Sequence, residues 1–259
     1  MERRKPIGVF DSGVGGLSIL RALRAELPQE DFVYFSDAAH APYGERGDEY
    51  VAERSRAIAK LLLDEHRIKA LVVACNTATA AAVHLIRAEH DRIPTVGVEP
   101  ALKPAAALTR TGRVAVFATR GTLASAKFHA LHDSLRGQAD FVLVPCDGLA
   151  LAIESFNEDE VANLCRLYVE GAGEFGHLPG QIDTLVLGCT HYPFAASHFE
   201  GLLGPHVRLV ETGEPVARQA RHVLEAKSLL NERGSARVAL CTSGPMEPLR
   251  EAAARWLGI

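Results

Sequence analysis

An α/β fold of two similar halves, each a mainly parallel sheet flanked by helices, is what this sequence predicts. Short apolar or β-branched runs alternate along the chain with longer Ala-, Leu- and Arg-rich stretches of helical period, the pattern of a parallel sheet covered by helices. Two strand segments also recur: IGVFDSG at 7–13 resembles VAVFATR at 114–120, and LVVACNT at 71–77 resembles LVLGCTH at 185–191. The offsets, 107 and 114, leave nearly the same length in each half between its first strand and its cysteine-bearing strand.

Taken in order, the apolar run at 7–10 reads as the first strand, and a G-V-G-G loop leads into a helix at 18–27. Strand 32–35 (FVYF) comes next, then a turn-rich PYGERGD and a helix at 48–66. The fully apolar 70–74 is a buried strand, succeeded by a helix at 77–90 and a strand at 94–98. The second half repeats the scheme with strands at 114–117, 140–144, 184–188 and 207–210 and a helix at 157–173. A helix at 214–231, a strand at 237–241 and a closing helix are too little for a domain and must pack onto one of the halves.

A chain of 259 residues, 47% hydrophobic and 23% charged, is long and apolar enough to bury the cores that this plan needs. A net charge of −4 gives no broad positive field, which excludes a phosphate backbone as the main partner; nucleic acid is not expected. The four-residue apolar run before Asp11 is too short for a signal-peptide core, and no stretch approaches a membrane span, so no membrane association is expected. Five cysteines at 75, 146, 165, 189 and 241, with no C-x-x-C pair, argue against a disulfide framework or a cysteine zinc site and for a reducing cytoplasm.

In parallel α/β sheets ligands bind beyond the carboxyl ends of the strands. Asp11 and Ser12, Cys75, Thr119 and Cys189 all stand at or just beyond the carboxyl ends of strands and therefore share that kind of edge. If the halves face one another there, one cleft receives a cysteine from each. A cysteine acts as base or nucleophile only as thiolate, so it needs help at neutral pH. Asp11 is the candidate helper for Cys75 and His191 for Cys189, and both cysteines stand at strand-to-helix junctions where backbone N–H groups favour an anion. A lone strand-end cysteine is ordinarily a small hydrophobe. Its repetition, as apolar strand, then Ala or Gly, then Cys, then Asn or Thr, favours function; Cys146, Cys165 and Cys241 lack that context and are expected in the core.

Other positions remain open from spacing alone. Tyr43 and Gly44 either present a hydroxyl and bare backbone to a ligand or form a surface turn; Asn76, Thr77 and Thr190 either bind a substrate or cap helices. Glu154, in an apolar context, is either a functional carboxylate or an exposed helix end. The glycine loop lacks the last glycine of the dinucleotide fingerprint, and neither a phosphate-binding G-x-x-x-x-G-K-[ST] nor a G-x-S-x-G serine elbow occurs.

FDSGVGGLS (10–18), PYG (42–44), ACNTATA (74–80), ATRGT (118–122), GCTHYP (188–193) and TSG (242–244) occur in the order seen in glutamate racemases, and the resemblance runs nearly end to end. It implies two pseudo-symmetric domains, 1–98 plus 212–259 and 99–211, with the active site in the cleft between them. It implies cofactor-independent interconversion of L- and D-glutamate for peptidoglycan, with no metal, in a cytoplasmic homodimer. On the resemblance Cys75 faces the α-proton of D-glutamate and Cys189 that of L-glutamate, Asp11 and His191 assist, and Glu154 is a further acidic residue beside Cys189. Ser12, Tyr43, Gly44, Asn76, Thr77, Thr119, Thr122, Thr190, Asp11 and His191 fall where the family contacts substrate. A related aspartate racemase usually has Glu after its second Cys-Thr, so His191 favours glutamate. Glu211 stands where the family commonly has Asp, which touches that segment's contacts and not the chemistry. The rival readings are the same fold acting on aspartate, a hydantoin or a malonate, a cysteine hydrolase with Cys189 as nucleophile and His191 as base, and a glutamate-binding protein without turnover.

Overall fold

The computed structural model describes residues 2–259, and the chain divides into two compact units. One is the chain up to Val98 together with Gly213–Ile259; the other is Glu99–Thr212. The first unit runs β1 (Ile7–Asp11), α1 (Leu17–Glu26), β2 (Phe32–Ser36), α2 (Asp48–His66), β3 (Ala70–Val73), α3 (Asn76–Glu89) and β4 (Thr95–Gly97). The second holds α4 (Leu102–Leu108), β5 (Arg113–Ala118), α5 (Arg120–Ala124), α6 (Ala126–Asp133), β6 (Asp140–Pro145), α7 (Leu149–Glu154), α8 (Glu158–Ala172), β7 (Thr184–Leu187), α9 (Ala196–Leu203) and β8 (Arg208–Val210). The chain then returns to the first unit with α10 (Gly213–Ala226), β9 (Val238–Thr242) and α11 (Met246–Leu257).

All strand pairs within the two sheets are parallel, in the orders β4-β3-β1-β2-β9 and β6-β5-β7-β8. With β9 set aside, each sheet has its own strands in the order second, first, third, fourth. Every residue of β1, β2, β3 and β7 is buried, which is why these strands read as continuous apolar runs without alternation: helices cover both faces. The nine expected strands are all present, none displaced by more than one residue at either end.

Two expectations are corrected. The helix foreseen at 214–231 ends at Ala226, because the chain beyond it is drawn to a buried ion pair at the amino-terminal ends of β2 and β3. Lys69 Nζ lies 2.5 Å from Glu30 Oε2 and donates to the carbonyls of Leu229 (2.8 Å) and Arg3 (2.6 Å), while the Asn231 N–H donates to Glu30 Oε1 (2.8 Å). Those bonds outweigh another helical turn. Cys146 and Cys165 are buried as expected, but Cys241 is only half-buried, since it belongs to β9 at the sheet's edge.

The strand orders also locate where a ligand can be held. In each sheet the chain passes to one side of the first strand and then crosses to the other, so loops diverge at the carboxyl ends of the first and third strands. Those are β1 and β3 in one unit and β5 and β7 in the other.

Candidate active site

At the switch point of the first unit, Asp11 closes β1 and is fully buried. Its Oδ1 accepts from the Gly13 N–H (3.1 Å) and from Ser12 Oγ (3.1 Å). The glycine loop is folded over this carboxylate: a Cβ on Gly16 would lie 2.6 Å from Asp11 Cβ and 2.8 Å from Tyr34 Oη, whose O–H donates to the Gly13 carbonyl (2.7 Å). Only glycine allows that approach.

Cys75, one residue past Ala74, is the N-cap of α3, with Sγ accepting from the Ala78 N–H at 3.5 Å. The unpaired N–H groups and dipole of a fourteen-residue helix therefore favour a thiolate at that sulfur. Ser12 Oγ lies 3.9 Å from the sulfur, so the serine connects the thiol to the Asp11 carboxylate. Asn76 is buried, and among the described residues neither its Oδ1 nor its Nδ2 has a hydrogen-bond partner. The capping role it was a candidate for is filled by Cys75. A buried amide left unpaired costs roughly 1–3 kcal/mol, and that is the mark of a group that meets a ligand. Thr77, the next residue, is also buried.

Tyr43 is not on a surface turn: it is buried, and its O–H donates to Asp37 Oδ2 (2.6 Å), while Gly44 beside it is part-exposed. Arg54 from α2 grips the same carboxylate through Nε (3.0 Å) and Nη2 (2.8 Å). Sequence reasoning missed both residues. Asp37 comes directly after β2 and so belongs to the same class of strand end as Asp11, which was an available signal. Arg54 stands mid-helix among other charges and offers none.

In the second unit Cys189 comes after β7 and Gly188, whose N–H donates to the Phe117 carbonyl at 2.7 Å. The corresponding bond in the first unit runs from Ala74 N–H to the Phe10 carbonyl at 2.8 Å, so the sequence repeat survives as a repeated hydrogen bond. A Cβ on Gly188 would come within 2.8 Å of that carbonyl oxygen. Cys189 Sγ is 3.7 Å from His191 Nδ1, and His191 Nε2 is 2.6 Å from Glu154 Oε2. Burial presses the imidazole toward neutrality, but the bonds to Cys189 and Glu154 outweigh it and lift the His191 pKa well above its ordinary value. Glu154 is thus a partner of the site and not an exposed helix end.

The two cysteines are supported differently. Cys189 leads into a short turn of 3₁₀ helix, Tyr192–Ala195, in place of the long helix found after Cys75. The positive charge that a helix terminus supplies in one unit comes from an imidazolium in the other. Thr119 caps α5, accepting from the Thr122 N–H (3.2 Å) and donating to Thr122 Oγ1 (2.9 Å); Thr122 and Thr190 are buried. Among the described residues no group of three or more His, Cys, Asp or Glu could hold a metal ion, and no helix is long and apolar enough to cross a membrane.

Known proteins share this fold. The family model described as Asp/Glu/hydantoin racemase matches residues 17–220. A curated glutamate racemase of Methylococcus capsulatus is 46% identical over 258 residues, covering 98% of this chain and 93% of its own. Among solved structures, a glutamate racemase isoform of Bacillus anthracis aligns with a TM-score of 0.86 at 31% identity over 99% of this chain and 95% of its own. The Escherichia coli glutamate racemase in complex with L-glutamate and the activator UDP-MurNAc-ala aligns with a TM-score of 0.82 at 31% identity, over 97% and 95%. A match of that extent, on a chain whose two sheets each end a strand in a supported cysteine, makes this protein a member of the Asp/Glu/hydantoin racemase family.

Proposed function

We propose that the protein is a glutamate racemase in which Cys75 and Cys189 exchange protons with opposite faces of the substrate's Cα. The observation that carries the reading is the pair of strand-end thiols at equivalent switch points, each with its own means of holding a thiolate. Relatives named glutamate racemase at 44–46% identity over most of the chain support the substrate.

In the D-to-L direction the Cys75 thiolate removes the α-proton, and the Cys189 thiol gives its proton to the other face, leaving Cys75 protonated and Cys189 as thiolate. The reverse direction exchanges the roles. Two fixed bases need only small motions, whereas a single base would have to travel around the carbon. Asp11, through Ser12, steadies Cys75; Glu154 holds His191 as the cation that faces Cys189. Asn76, with its unpaired amide, and Ser12, Thr77, Thr119, Thr122 and Thr190 are the donors and acceptors proposed for the substrate's carboxylates and ammonium, with the backbone at Tyr43 and Gly44. Charge developing on the α-carboxylate is met by hydrogen bonds, so the chain's own residues suffice and no cofactor is required. The product, D-glutamate, is proposed to serve peptidoglycan synthesis, in the cytoplasm.

The test is incubation with L-glutamate in D2O without pyridoxal phosphate, following the α-hydrogen by NMR and optical activity by circular dichroism. Wild type should lose both signals, and Cys75→Ser and Cys189→Ser should each lose racemisation by at least about a thousandfold. A Cys75→Ser protein that keeps turning over would instead favour a hydrolase built on Cys189. An unchanged α-hydrogen with wild type would remove glutamate as substrate and call for aspartate, hydantoins and malonates.

A further inference from the structure

Asp37 stands at the carboxyl edge of the first sheet, one residue beyond β2, where its N–H donates to the Asp11 carbonyl (2.9 Å). Its side chain is fully buried. Burial acts to raise the carboxyl, but hydrogen bonds from Arg54, Tyr43 and Ser243 prevail and hold it below the usual carboxylate range, so it is an anion. Tyr43, whose hydrogen is committed to that anion, is pushed upward by burial and by Asp37, and it stays a neutral phenol. The phenol lies within electrostatic reach of Cys75, both side chains belong to one apolar cluster, and the turn bearing Tyr43 packs on α3, which Cys75 caps.

The second unit shows that this ion pair is not something the fold needs. Its residue in the same place is Cys146, which comes directly after β6 and makes the same backbone bond, N–H to the Ala118 carbonyl at 2.9 Å. There a buried thiol, pushed up by burial and hence neutral, occupies the strand end that a carboxylate paired with a guanidinium occupies in the first unit. In the first unit a carboxylate and a guanidinium stand instead at that strand end, and both are joined to Cys75 through the Tyr43 phenol that they hold.

We propose that Asp37 and Arg54 are positioning residues for proton transfer at Cys75: together they fix the Tyr43 phenol, and their mutual cancellation sets the charge that the thiol meets when it ionises. The inference rests on the proposed role of Cys75 as an acid/base group. An unbalanced Asp37 carboxylate would oppose a second anion nearby, and Arg54, reaching in from α2 with its side chain 27% exposed, removes that opposition. The other titratable groups on these elements are Asp11, buried at the end of β1, and Cys241 from β9, which packs against the same apolar cluster 3.8 Å from His66 Nε2 on α2. They are common to wild type and every variant, so they drop out of the comparison.

The experiment measures the rate of iodoacetamide alkylation at Cys75, resolved by the mass of its peptide, across pH for wild type, Arg54→Gln, Asp37→Asn and the double variant. Racemisation is assayed in parallel. Arg54→Gln should move the alkylation midpoint up by about 0.5–1 pH unit and Asp37→Asn down by a similar amount, with the double variant within about 0.3 of wild type. Arg54→Lys, which keeps the charge, should hold the midpoint near wild type while kcat/KM falls. Because an unfolded chain alkylates with the ordinary thiol midpoint, each variant is first shown to be folded by its urea melt, and any one folded single variant reads the sign. Midpoints that stay put, or that move the same way in both single variants, would overturn the proposal and leave the pair a structural brace. Failure of wild type to racemise glutamate would strike the function and not the electrostatic coupling, which the alkylation reads directly.

Discussion

The chemistry proposed at Cys189 depends on which nitrogen of one imidazole faces which partner. With Nε2 on the Glu154 carboxylate, His191 keeps a proton there, and a second proton makes it a cation against the sulfur. In Glu154→Gln the anion that helps raise the imidazole is gone, so its pKa falls. The alkaline loss of kcat/KM should move to lower pH, and the rate at the optimum should drop about 10- to 100-fold, read from a pH–rate profile. The same shift sets the sign of the stability change. A histidine raised on folding adds stability that is complete below its unfolded pKa and disappears as pH climbs through the folded one, so the variant should lose stability mainly on the acid side of that window. Asn76 gives the opposite kind of prediction. Because its amide is buried without a partner, Asn76→Ala should leave the unliganded protein within about 1 kcal/mol of wild type in urea melts, or make it more stable. The stabilisation by saturating glutamate, about 2.7 kcal/mol at a hundred times Kd, should shrink sharply in that variant.

Among the elements, one point that joins distant parts of the chain is the Lys69–Glu30 pair. Both side chains are essentially without solvent contact, and their hydrogen bonds reach Arg3 near the chain start, the entry to β3, and the segment between α10 and β9. A carboxylate buried without its cation is expensive, so Lys69→Met should destabilise by about 3–5 kcal/mol. Replacing both partners with methionine should recover most of that loss, since the desolvation of both charges goes with them. Urea unfolding of the single and double variants measures both quantities. The segment 227–231 is where this pair overrides local preference: the apolar spacing continues as a helix, but the backbone groups of Leu229 and Asn231 find buried charges instead.

At the scale of the molecule, a single strand order appears twice, each time with a thiol at the end of the third strand. The two halves resemble one another along the strands and diverge elsewhere because buried strand residues are constrained on both faces, while the residues just past a strand end are free to specialise. Asp37 and Cys146, at equivalent places, carry different chemistry for that reason. A homodimer is proposed on the family resemblance, and light scattering behind size exclusion should give about twice the 27.9 kDa chain mass; a value near one chain mass would set it aside.

What the sequence determined by itself is the plan of the strands and the place of a cysteine at the end of one strand in each half. Buried parallel strands are apolar on both faces, so each is legible as a run of four to six residues, and its carboxyl end is then known. Counting from those ends reached Asp11, Ser12, Cys75, Thr119 and Cys189 without a structure. Only tertiary structure decided the partners: that Glu154 meets His191 thirty-seven positions away, that Ser12 stands between Asp11 and Cys75, and that Tyr43 turns inward to Asp37 and Arg54. Such contacts arise from how helices lie on a sheet, and a charged residue in a helix has the same local pattern whether it faces water or a buried carboxylate. Strand order belongs to the same class, because it depends on which side of the first strand each crossover takes, and the periodicity of the chain carries no record of that choice.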